Sequence, residues 1–74
     1  MNIRLLSCDA PKPDKRAMTK LFEEIGEGVS NYDAQDFTEF LLSGDPVEMS
    51  IADKNSSSGT RALRKLGIDY EMMD

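Results

Sequence analysis

Residues 47–72 read VEMSIADKNSSSGTRALRKLGIDYEM, and this stretch decides the fold. Val47, Met49 and Ile51 alternate with Glu48 and Ser50, the period-two pattern of a strand with one buried face. The run from Asp53 to Gly59 reads as a polar loop, one residue of which caps the following helix. A helical pattern around Ala62–Leu66 ends at Gly67, with Arg61, Arg64 and Lys65 outward and toward its negative dipole end. Alternation returns at Ile68, Tyr70 and Met72. A single crossover helix between two strands makes those strands parallel.

The residues before this unit supply what lies between the two strands. Asn2–Cys8 alternates as a strand and is stopped by Asp9-Ala10-Pro11-Lys12-Pro13, because proline lacks an amide donor and restricts its predecessor. A helix opens at Pro13 or Asp14 and gathers Ala17, Met18, Leu21, Phe22 and Ile25 on one face. Gly26 and Gly28 punctuate its end as residues that enter left-handed geometry cheaply. Ser30 or Asn31 caps a second helix, with Asp33 placed as in a capping box. Its apolar face is read as Ala34, Phe37, Phe40 and Leu41, and Gly44-Asp45-Pro46 ends it. Two successive helices return the chain antiparallel to the first strand, which therefore sits between the other two.

The expectation is an α+β, two-layer β-α-α-β-α-β domain spanning residues 1–74. It has a three-stranded antiparallel sheet of order 2-1-3, with a right-handed crossover and all three helices on one face. Ile3, Leu5, Leu21, Phe22, Phe37, Leu41, Val47, Met49, Ile51, Leu63, Leu66, Ile68 and Tyr70 form the expected core. The opposite sheet face carries Arg4, Glu48, Asp69 and Glu71, joined by Leu6 and Met73.

A chain of 74 residues makes one domain and buries only about 60% of its unfolded surface. Its hydrophobic content of 39% nevertheless places it with folded rather than disordered chains. Cys8 is the lone cysteine, so no internal disulfide forms, and no secretory or spanning segment is visible. A cytoplasmic location, a monomeric state and no membrane partner are expected. The net charge of −5 disfavours direct nucleic-acid binding, which needs clustered cations.

Charge is unevenly spread. Residues 1–20 hold five basic and two acidic groups, whereas residues 21–53 hold nine acidic groups and no Lys or Arg. Asp33, Asp36 and Glu39 recur at three-residue spacing along the second helix, where like charges oppose one another. Such a row is either an ordinary solvated face or an acidic docking surface for a basic partner.

Candidate chemistry is sparse. Histidine is absent from the sequence, which removes the usual base and the commonest metal ligand. Cys8 is read as structural, and neither a metal nor a cofactor is expected. Ser58, Thr60 and Arg61, near the start of the third helix, could meet an anion, although the stretch lacks the glycine–lysine spacing of a phosphate loop. The edges of strands two and three and the Met72-Met73 pair could support self-pairing, against which Glu48, Asp69 and Glu71 are the usual defence.

The order of elements and several landmarks resemble the C-terminal domain of the bacterial ribosomal stalk protein L7/L12, within a superfamily that includes the protease adaptor ClpS. The matching stretches are Ile3–Cys8, Lys15-Arg16-Ala17-Met18-Thr19-Lys20-Leu21-Phe22, Gly26-Glu27-Gly28, Ala34-Gln35-Asp36-Phe37, Asp45-Pro46-Val47 and Ala62-Leu63-Arg64-Lys65-Leu66-Gly67. The resemblance implies docking of translation GTPases through the first two helices, with Lys15 and Lys20 at basic positions of that surface. Glu23 and Gln35, the latter beside Asp36, stand where the family has cations. The adaptor's Asn-Asp-Asp stretch is replaced by Ser7-Cys8-Asp9-Ala10-Pro11.

The resulting expectation is a non-enzymatic protein-interaction domain using Lys15, Thr19, Lys20, Glu23, Gln35, Asp36 and Glu39. Its partner would be a protein bearing a basic patch. Without the stalk's dimerisation region and hinge, a small accessory or phage-type regulator of a larger machine is expected. A protease adaptor, or an anion binder using the third helix, is the alternative.

Overall fold

The computed structural model describes residues 1–73. Its elements are β1 (Asn2–Cys8), α1 (Lys15–Ile25), α2 (Asn31–Leu42), β2 (Val47–Ser50), a 3-10 turn (Asp53–Asn55), α3 (Ser56–Lys65) and β3 (Ile68–Met72). The three strands form one antiparallel sheet of order β2-β1-β3. Among the described residues, no helix is long and apolar enough to cross a membrane.

The helix starts follow the capping chemistry legible in the sequence. The Asp14 carboxylate accepts from the Ala17 amide at 3.0 Å, and the Ser30 hydroxyl accepts from the Asp33 amide at 3.2 Å. Gly28, with φ of 69°, turns the chain between α1 and α2 in the left-handed region. Gly26 serves differently from the reading above, because its φ is −77°. A Cβ there would sit 2.7 Å from both the Phe22 carbonyl oxygen and Met49 Cε. Close approach is what requires that glycine.

Ile3, Leu5, Val47, Met49 and Ile68 point from the sheet into a core closed by Met18, Phe22, Ile25, Ala34, Leu41 and Leu63. Leu21, Phe37, Leu66 and Tyr70 pack against it only half-buried, so they border the core rather than fill it. The larger correction concerns α2. Ala34, Thr38 and Leu41 form its inward stripe, while Phe40 is 51% exposed. At about 100° per residue, Phe40 is turned roughly 120° from Ala34, and Thr38 lies beside it. An apolar residue therefore faces out while a hydroxyl goes in.

Two further departures are local. Residues 53–59 are not an open loop: a 3-10 turn leads into α3, whose N-cap position, Asn55, makes no side-chain capping bond. Gly59, read as loop chemistry, is buried inside α3 where that helix meets α1, and a Cβ there would lie 3.2 Å from Ile25 Cδ1. In β1 the register with β3 shifts between Leu5 and Ser7, leaving Leu6 as the extra residue of a bulge. The shift restores Cys8 to the helix side, opposite Ile68, where its half-buried thiol donates to the Leu66 carbonyl at 3.6 Å.

Candidate functional site

The short connection between α1 and α2 lays the two helices side by side, and their exposed flanks enclose an open groove of about 690 Å³. Helix α1 contributes Lys15, Thr19 and Glu23 at four-residue spacing, which places them on one face. Arg16 and Lys20 flank that line, and α2 answers with Asn31, Gln35, Asp36, Thr38 and Glu39. All seven docking residues expected from sequence line this groove. Lys15, Thr19, Lys20 and Glu23 come from α1; Gln35, Asp36 and Glu39 come from α2.

Three cross-links run between the walls. At one end Lys15 Nζ stands 3.6 Å from Glu39 Oε1. Both side chains are 65% exposed, so this pair contributes about 0–1 kcal/mol. In the middle, Thr19 Oγ1 and Thr38 Oγ1 are 3.0 Å apart. Thr38 donates to the Ala34 carbonyl at 2.9 Å, which commits its single proton; Thr19 must then donate to Thr38. At the far end Asn31 Nδ2 donates to Glu23 Oε2 at 3.2 Å, and Gln35 Nε2 donates to Asn31 Oδ1 at 2.7 Å.

Positive and negative side chains therefore share one surface instead of forming separate basic and acidic ones. Among the described residues, Arg16, Lys20 and Asp36 have no ion-pair partner. The acidic row of α2 is divided. Asp36 and Glu39 face this groove, whereas Asp33 borders a second one of about 450 Å³ along β2. Asn31, Arg16 and Thr38 were not anticipated as groove residues. Thr38 had a visible signal, since it stands four residues after Ala34 on the inward stripe.

Ser58, Thr60 and Arg61 do not converge on an anion cradle. Because α3 begins at Ser56, Ser58 and Thr60 lie within its first two turns. The Ser58 hydroxyl donates to the Asn55 carbonyl at 3.4 Å, and the Thr60 hydroxyl to the Ser56 carbonyl at 2.9 Å. Arg61 is exposed.

The open face of the sheet has another electrostatic character. Arg4, on the central strand, reaches Glu48 at 3.0 Å and Glu71 at 2.9 Å. Glu48 foremost, then Glu71, hold the guanidinium's proton more firmly than usual. At the bulge, the Ser7 hydroxyl lies 3.4 Å from Asp9 Oδ1 and 3.3 Å from Asp69 Oδ2, and can donate to only one. The neighbouring Asp69 carboxylate, by hydrogen bond and by charge, pushes the Asp9 carboxyl above its ordinary value. No family model, curated protein or solved structure matches this chain, so the likeness to the stalk domain stands on the residues that suggest it.

Proposed function

We infer that this chain is a non-enzymatic protein-interaction domain that docks through the α1–α2 groove onto a larger machine, a translation factor or a related assembly. In this reading it acts as a small accessory or phage-type regulator. The observation that carries the reading is convergence: seven side chains from two helices, chosen from sequence, line one open groove. At the groove floor the buried Thr38 hydroxyl, bonded to Thr19, ties the two helices together. A preformed surface loses less freedom on binding than a mobile one.

The partner is a protein offering a basic patch. Asp36 lacks a cation of its own, and Glu23 is met only by an amide. The groove lining itself is balanced, Lys15, Arg16 and Lys20 against Glu23, Asp36 and Glu39, and the surplus comes from the net charge of −5 of the whole chain. Such a field steers a basic partner and accelerates encounter. A photo-reactive side chain introduced at position 36 should cross-link one protein from native cell extract, whereas one at position 61 should not. Equal capture from both positions, or capture from position 61 alone, would move the contact away from this groove.

A further inference from the structure

The sheet has two edges, and they are finished differently. At β2 the turn after α1 closes the outer side: the Glu27 amide donates to the Ser50 carbonyl at 2.8 Å, and Gly26 pairs with Ile51. At β3 the hydrogen bonds run to the β1 side. The Met73 amide donates to the Asn2 carbonyl at 3.0 Å, and the Asp9 amide donates to the Gly67 carbonyl at 2.8 Å. These bonds set the phase of the ladder. Alternation then turns the amides and carbonyls of Ile68, Tyr70 and Met72 outward, where no described residue bonds them.

On the open sheet face the charge beside this edge is one-sided, while on the helix side it includes the Arg64 guanidinium. Among the residues of the three strands Arg4 is the one cation, and it is engaged by Glu48 and Glu71. Asp69, next to the edge, has Asp9 for a neighbour instead. A second copy of the chain is a poor occupant. Two β3 strands paired antiparallel about Tyr70 would set each Asp69 against the other copy's Glu71, and like charges directly opposite are destabilising. On the helix side, the edge offers Met72, 56% exposed, and the Tyr70 ring, over which the Arg64 guanidinium lies at 5.9 Å.

We propose that the outer edge of β3 is a strand-addition site for an extended segment of a partner protein in which Lys or Arg alternates with apolar residues. Its backbone pairs with Ile68, Tyr70 and Met72. Residues opposite Asp69 and Glu71 project onto the open sheet face and supply cations; those between them project toward Tyr70 and Met72. The site is separate from the α1–α2 groove and does not depend on it.

The test is a titration of the isotope-labelled full chain, followed by its amide spectrum, with a short peptide alternating lysine and valine. A glutamate–valine peptide is the control. The lysine peptide should shift the β3 amides and slow hydrogen exchange at Tyr70 and Met72, while the control should not. Met72→Pro removes an outward amide without touching the β1 ladder, and Asp69→Lys reverses the charge. Each should retain the folded spectrum and weaken the peptide by about tenfold or more. Equal binding of both peptides, shifts confined to α1 and α2, or undiminished binding by Asp69→Lys would overturn the proposal. So would a β3-paired dimer seen by sedimentation without peptide.

Discussion

The α1–α2 groove and the open face of the sheet solve the problem of charge in opposite ways. In the groove, Lys15 meets Glu39, Glu23 meets Asn31, and Thr19 meets Thr38, so each wall answers the other. On the sheet, Arg4 serves Glu48 and Glu71 together, while Asp9 and Asp69 crowd one serine hydroxyl. Along the sequence the acidic surplus belongs to residues 21–53, the α2 side. In space, α1 lends that segment three cations, while at the bulge of β1 two carboxylates, Asp9 and Asp69, stand together without one. Charge read along a chain is therefore a poor guide to charge at a surface once helices pair.

Both regions depend on one core, and the largest expected effect tests that dependence. Phe22→Ala, at a fully buried position of α1 beneath the sheet, should cost about 3–5 kcal/mol in chemical denaturation. Phe40→Ala should stay within about 0.5 kcal/mol, because that ring lies outside the core. Comparable losses for the two would mean that α2 is rotated from the orientation described, and the groove with it.

Thr38→Val probes the groove floor alone. The substitution keeps the shape, removes the donor to the Ala34 carbonyl, and deprives Thr19 of its acceptor. A loss of about 0.5–1.5 kcal/mol is expected from urea midpoints. A gain in stability would show that the hydroxyl pair holds nothing together.

The smallest effect separates the two regions by pH. Asp9 titrates above its ordinary value of 3.8 because Asp69 stands beside it. The folded state therefore binds this proton more tightly than the unfolded chain. The penalty is fully present above the folded-state value and fades as pH falls toward 3.8 and below. Asp69→Asn should raise the denaturation midpoint at neutral pH, and the difference from the parent should shrink on acidification. A difference that grows on acidification would contradict the proximity of the two carboxylates. Lys15→Ala with Glu39→Ala should leave this pH dependence unchanged.

The order of elements was legible because the hydrophobic period switches cleanly between two and 3.6 along the chain, and the stops are chemical. Asp14 and Ser30 cap as read, and Gly44 leaves α2 with φ of 92°. What escaped the sequence depends on partners distant along the chain. The bulge at Leu6 exists only relative to β3. A glycine stands at position 59 within a helix because Ile25 comes close to it, and Thr38 rather than Phe40 takes the inward position because Thr19 and the Ala34 carbonyl satisfy its hydroxyl. The groove residues were legible as outward positions on two helices. Their mutual pairing was not, since Lys15 and Glu39 become neighbours only when the helices lie side by side.

The central claim is that a protein partner docks on the groove through its acidic wall. The most direct measurement is the affinity of the captured partner for two double variants at two salt concentrations. Asp36→Lys with Glu39→Lys should weaken binding at least about tenfold and remove most of its salt dependence, with the fold intact; Lys15→Glu with Lys20→Glu should leave it equal or tighter. Unchanged affinity in both folded variants would contradict the account, and a loss confined to the lysine pair would reverse the sign of the partner.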